Sequence, residues 1–236
     1  MKSLIGSIIH GGVAALLLLS GMALAQEEDF LKAQIVTLSW KGKVDGLWFV
    51  TKDGPKTMEA YERGFTAAES YVGPRRIAFH RERSELDLPP EKRPQPVAVA
   101  TLPAEGGEVL LIFVENPASQ DSWKVEVMDN SIKNLPAGGY RVVNMTKDAY
   151  SAAFDRDVIA IKASGMTIIR PAKRNDVRDL PVQIARGKQL VYSSIWGHRE
   201  SQRGTVFLMP GKTEKDFLTI RRYFQPVLQP ETAAAP

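Results

Sequence analysis

Short alternating and apolar runs separated by turn residues about every 8 to 12 positions organise this chain, and long helical periodicity is absent. Ala33 to Trp40 sets Ile35, Thr37 and Ser39 against Val36, Leu38 and Trp40 and predicts a first strand. The glycine-containing loop from Lys41 to Gly46 returns it through Leu47 to Thr51, which predicts a hairpin. After the Asp53-Gly54-Pro55 turn, Lys56 to Tyr61 and Phe65 to Ala68 fit either short strands or one helical stretch. Arg75 to His80 predicts a strand with Ile77 and Phe79 inward. Four prolines between Glu85 and Pro96 exclude a central strand there and predict an exposed loop. Val97 to Leu102 and Glu108 to Val114 flank Pro103-Ala104-Glu105-Gly106-Gly107 and predict a further hairpin. Its second arm is apolar on both faces, the mark of a central buried strand. Trp123 to Val127 alternates, with Trp123, Val125 and Val127 toward a core.

Near the midpoint, Leu135-Pro136-Ala137-Gly138-Gly139 supplies a fixed φ and two residues free to take positive φ, as a tight reversal requires. Tyr140 to Met145 then runs out as a strand. Neither of its faces is cleanly apolar, which predicts a position near a sheet edge. Tyr150 to Asp155, Val158 to Lys162 and Met166 to Arg170 predict a meander, with Gly165 as the left-handed residue of its second loop. Two more hairpins are expected, from Val182 to Ala185 with Gln189 to Ile195, and from Thr205 to Met209 with Phe217 to Phe224. The fold class is therefore all-β, two consecutive immunoglobulin-like sandwiches over 34–129 and 130–224, or alternatively one larger sandwich. An arm over 26–33 precedes them and a disordered tail over 225–236 follows. Asp129 to Thr146 is the expected seam, and no internal sequence repeat links the halves.

The N-terminus changes the picture from fold to address. Lys2, the apolar run through Val13 to Leu19, and Ala23-Leu24-Ala25 read as a secretory signal peptide over 1–25 with mature protein from Gln26. The apolar run falls short of the ~20 residues of a spanning helix, so no stable membrane anchor is expected once the signal is removed. The chain has no cysteine, which excludes disulfides and a lipid-modified cysteine. Removing Lys2 leaves 30 basic against 27 acidic residues, a formal charge of +3. That balance gives no support for nucleic acid as a partner.

The order Tyr71-x-Gly73-Pro74, Leu110-Leu111-Ile112-Phe113, Asp129-x-Ser131, Leu135-Pro136-Ala137-Gly138, Asn144-Met145-Thr146 and Ser194-Ile195-Trp196 resembles a set of uncharacterised exported bacterial proteins. The Leu-Pro-Ala-Gly-Gly-Tyr run is also similar to the turn and strand of extracellular immunoglobulin-like and transthyretin-like modules. The resemblance implies an exported β architecture and assigns no catalytic residue.

Candidate chemistry is sparse. The expected mature chain offers only His80 and His198 and no cysteine, too few ligands for a zinc centre. His198 with Ser193 or Ser194 and an acid can be written as a triad, yet no G-x-S-x-G turn surrounds either serine. Glu82 with Glu85, and Asp155 with Asp157, could serve as carboxylate pairs but lie in charged, turn-like segments. Arg75, Arg76, Arg81, Arg83, Lys173, Arg174, Arg178, Arg221 and Arg222 could together form a basic face, though acids are interspersed. No cofactor is expected, because no glycine-rich phosphate loop opens a helix. The expected ligand or partner surface is the loop carrying Trp196, His198, Arg199 and Arg203, where a tryptophan beside charges, if exposed, suits a sugar ring or a peptide, although Trp196 at the end of its strand reads more readily as core. The function expected is that of an exported, non-enzymatic envelope module with an envelope protein or polysaccharide as partner. The alternatives are a carbohydrate- or peptide-binding module using 196–203, and an envelope-polymer hydrolase.

Overall fold

The computed structural model describes residues 30–119, 121–172, 179–211, 213 and 217–227. The expected signal peptide, most of the 26–33 arm, Lys173, Arg174 and Arg178, and the tail beyond 227 lie outside the described residues. Sixteen strands occur among the described residues. They are β1 (Leu31–Ser39), β2 (Val44–Thr51), β3 (Gly54–Ala60), β4 (Glu69–Gly73), β5 (Arg76–Phe79), β6 (Ala98–Thr101), β7 (Gly107–Glu115) and β8 (Trp123–Asp129) in the first half. The second half supplies β9 (Tyr140–Asn144), β10 (Tyr150–Phe154), β11 (Asp157–Ile161), β12 (Met166–Ile169), β13 (Asp179–Arg186), β14 (Gln189–Gly197), β15 (Gln202–Pro210) and β16 (Leu218–Pro226). A single helical turn, α1 (Arg83–Leu86), lies between β5 and β6.

The strand order recurs. In the first half β4-β1-β7-β8 form one sheet, with β1 and β7 parallel. β2 pairs β3 and β5 pairs β6, and Trp48 and His80 exchange two backbone hydrogen bonds of 2.8 Å that join the pairs in the order β3-β2-β5-β6. The second half has β12-β9-β15-β16, with β9 and β15 parallel, and β11-β10-β13-β14. Each strand of the second half thus takes the place of its counterpart eight strands earlier, although the sequences show no repeat. Four-plus-four strands with a parallel pair differ from the four-plus-three of an immunoglobulin constant unit.

Three apolar clusters lie between four layers. One, with Ile35, Phe49, Phe79, Leu111 and Phe113, fills the first half. Another, with Val142, Phe154, Val182, Trp196 and Leu208, fills the second. The third sets Val36 and Leu38 of β1 and Leu110 and Ile112 of β7 against Phe207 of β15 and Tyr223 of β16, so the two parallel-paired sheets pack face to face. This explains the doubly apolar β7, whose odd residues enter the first core while its even ones enter the central cluster.

Several local expectations change because strands cross between layers. β1 is buried on both faces over Ile35 to Ser39, so it takes the interior place between β4 and β7 and does not pair with β2. β6 and β7 likewise form no hairpin, because the Pro103–Gly107 turn carries the chain from the outer sheet to the inner one. Gly106 is required there: with φ near +65° it leaves a Cβ only 2.1 Å from the Lys32 carbonyl oxygen. β9 is an interior strand, since its polar Arg141 and Asn144 are hydrogen-bonded within the fold. β12 leaves the meander to pair with β9, and Ser164, at φ 50°, takes the left-handed position expected of Gly165. β1 takes the last three residues of the expected arm, and β16 runs to Pro226, inside the expected tail.

Candidate functional site

The loop expected to present a ligand surface splits between the interior and solvent. Trp196 is 0% exposed in the second core, edge-on to Phe154 and Tyr192, with its Nε1 donating to the Tyr192 hydroxyl at 2.9 Å. The Arg222 guanidinium lies over its ring at 4.8 Å. Arg203 is 5% exposed and spans the halves, donating to Glu108 Oε2 of β7 at 3.0 Å and to Gln225 Oε1 at 3.2 Å. Arg199 is exposed and His198 half-buried. Two of the four residues are therefore structural, and the sugar-binding tryptophan face is occupied by protein.

His198 has a different set of partners from a hydrolase base. Its Nε2 faces Glu200 Oε1 at 3.3 Å, and Glu200 also reaches Arg170 at 3.7 Å. With the carboxylate accepting from Nε2–H, Nδ1 carries the lone pair, and the Tyr140 hydroxyl donates to it at 2.9 Å. Burial pushes the Tyr140 hydroxyl up to about 12, so it holds its proton and makes a poor nucleophile. Ser193 points outward and Ser194 inward along β14, and neither meets His198. The Tyr140-His198-Glu200 chain ties the turn before β9 to the loop after β14. Gly138, at φ +74°, lies beneath Glu200, where a Cβ would approach its carboxylate to 2.7 Å.

At the seam, Arg141 is 1% exposed and donates through Nη2 to the Asp129 carbonyl. Its Nε and Nη1 find no acceptor among the described residues. Burial pulls the guanidinium down to about 10, Arg203 adds to the pull and Asp129 opposes it. In the first half His80 bonds Glu85 at 3.0 Å across the base of α1, which leaves that pair a structural role. Among the described residues no group of three or more His, Asp or Glu is placed to hold a metal ion. A groove of about 290 Å³ runs along β6 and β8, lined by Val97, Val99, Asn116, Trp123 and Val125.

The feature that sequence reading missed is the outer face of β11-β10-β13-β14. Inward side chains fill the second core, so the register fixes which residues face out. Val158, Ala153, Gln183 and Ser193 form one row, Ala160, Ser151, Ala185 and Leu190 a second, and Pro181 with Ile195 a third. None of the ten is charged. Val158 is 69%, Ile195 67% and Leu190 54% exposed. Charges such as Asp157, Arg186 and Lys188 stand only at the strand ends and turns. The counterpart sheet of the first half carries Arg76 outward, and its β5–β6 connection bears α1, which packs on β2 and buries Leu86. In the second half that connection is only Gly187-Lys188, so among the described residues it places no such element on the sheet. The signal was available as the missing Lys and Glu at alternate positions, in contrast to Lys124 and Glu126 of β8.

Neither a protein-family model nor a curated protein matches the chain.

Proposed function

We propose that this protein is an exported, non-enzymatic β-sandwich that serves the cell envelope as a structural or partner-binding module, and that it binds through the outer face of β11-β10-β13-β14. The observation that carries the reading is the uncharged, flat face with its exposed Val158, Leu190 and Ile195. At a strand spacing of ~4.8 Å and ~3.4 Å per residue, its four strands and three rows cover roughly 400 Å². Exposed patches of a few hundred Å² with aliphatic side chains are often functional surfaces. Export rests on Lys2, the apolar run and Ala23-Leu24-Ala25. Small and aliphatic side chains suit a protein surface better than a sugar, which favours stacking aromatics. Trp196 and Arg203 are buried and His198 bonds Tyr140 and Glu200, which favours the sheet face over the 196–203 loop as the surface to test first.

Two measurements test this. N-terminal sequencing of the protein recovered outside the cytoplasm is expected to start at Gln26, and recovery of intact Met1 in the cytoplasm contradicts export. Capture of envelope proteins on the immobilised chain is expected to fall at least tenfold with Ala160→Glu plus Gln183→Glu. Undiminished capture by that variant contradicts the assignment of the face.

A further inference from the structure

An unpaired edge strand is a template for another chain, and folded proteins blunt it with charge, proline, shortness or a covering element. The described sheet edges other than β14 are charged, proline-bearing, short or covered. β8 carries Lys124 and Glu126, and Trp123 N–H donates to the Val97 carbonyl at 2.8 Å beside β6. β16 carries Arg221 and Arg222, and β3 carries Pro55 and Lys56. β11 and β12 have five and four residues. The Val72 carbonyl of β4 accepts from Lys52 N–H at 2.7 Å. β14 has none of these, its one irregularity being a bulge at Val191 against Ile184 and Ala185: Gln189-Leu190-Val191-Tyr192-Ser193-Ser194-Ile195-Trp196-Gly197 is nine residues long with no charge and no proline. Among the described residues its backbone bonds only to β13.

We propose that β14 pairs antiparallel with β14 of a second copy across a two-fold axis, joining two four-stranded sheets into one of eight. A second copy suits the edge because β14 is uncharged from end to end, so two-fold pairing brings no like charges opposite one another. The same operation continues the uncharged outer face into the partner and doubles this exposed surface to roughly 800 Å², the area each partner contributes to a standard interface, so the dimer presents a face large enough for a further protein. The inference extends the function proposed above, using the edge of the same sheet in place of its face.

The absence of cysteine makes the test direct, since any single substitution creates a unique thiol. Cross-strand neighbours lie ~5 Å apart, within disulfide reach, whereas facing sheets lie ~10 Å apart and beyond it. Sedimentation equilibrium of the purified protein at roughly 50 µM is expected to show a dimer, with a Kd raised at least tenfold by Ser193→Lys and little changed by Ser193→Thr. Single cysteines placed from Val191 to Ile195 are expected to give disulfide dimers with a maximum at one position, and Val158→Cys on the far edge none. Far-UV circular dichroism verifies that each variant is folded. A monomer at all concentrations, a dimer indifferent to Ser193→Lys, equal cross-linking from Val158→Cys, or cross-links only to other proteins would each overturn the pairing. A monomer that still binds envelope protein through the face sinks only this inference. A dimer that binds nothing sinks only the function proposed above.

Discussion

Trp196 and Arg141 are both buried, and replacing them has opposite expected effects. Trp196 fills the second core and touches Phe154, Tyr140 and Tyr192, so Trp196→Ala is expected to cost about 3–5 kcal/mol in denaturant unfolding. A cost under about 0.5 kcal/mol, the range of surface substitutions, would place the ring outside the core. Arg141 lacks acceptors for Nε and Nη1, and burial disfavours its charge. Replacing such a group by an apolar one of similar length is expected to stabilise by about 1–2 kcal/mol in Arg141→Met. Tyr140 contributes a pH dependence. Its folded hydroxyl titrates near 12, above the ordinary 10, so the folded state keeps a proton that the unfolded state loses. The stability it contributes is whole below pH 10 and is lost as pH rises toward 12. Alkaline absorbance titration is expected to show a late tyrosine component that Tyr140→Phe reduces, with a shallower loss of stability over that window. The sequence shows the residue types of Tyr140 and His198 but not their meeting, because 58 residues separate them and only the fold sets the 2.9 Å contact.

Strands are the scale at which the sequence was most legible, and pairing the scale at which it was least so. The run Val109 to Phe113 announces a strand buried on both faces because no polar residue interrupts it. Leu110→Ala and Leu111→Ala point into different clusters and are each expected to cost about 2–5 kcal/mol, where a strand with one solvent face would show one cheap substitution. The β13–β14 and β15–β16 hairpins follow from strand-type runs on either side of a glycine-containing connection. The β1–β2 and β6–β7 hairpins fail because a turn sequence fixes a reversal and leaves open which sheet receives the returning strand. The polar positions of β9 suggested an edge, yet Asn144 donates to the carbonyls of Asp148 and Lys162 and so lies inside the fold. The candidate loop divides for the same reason: the strand-end position of Trp196 left both core and surface open, and the inward register of β14 puts it in the core.

For the whole molecule, the repeated strand order and the central cluster have different consequences. The repeat leaves two equivalent outer sheets, and the chain treats them differently: α1 packs on the first, while the outward rows of the second are uncharged and no described helix packs on them. The central cluster of Val36, Leu38, Leu110, Ile112, Phe207 and Tyr223 makes the parallel-paired sheets a shared interior, and Arg203 crosses it to Glu108. Unfolding is therefore expected to be one calorimetric transition, which Phe207→Ala, removing a ring from that cluster, splits or broadens.

Photo-cross-linking in the cell tests the binding face most directly, with the reactive side chain placed at Ala160 on the outer face of β11 and, for comparison, at Lys56 on β3 of the first half. Adducts to an envelope protein from position 160, and none from position 56, are the predicted result. Adducts from 56 alone, or none from 160 in folded and exported protein, would contradict the assignment of the uncharged face as the surface through which this protein acts.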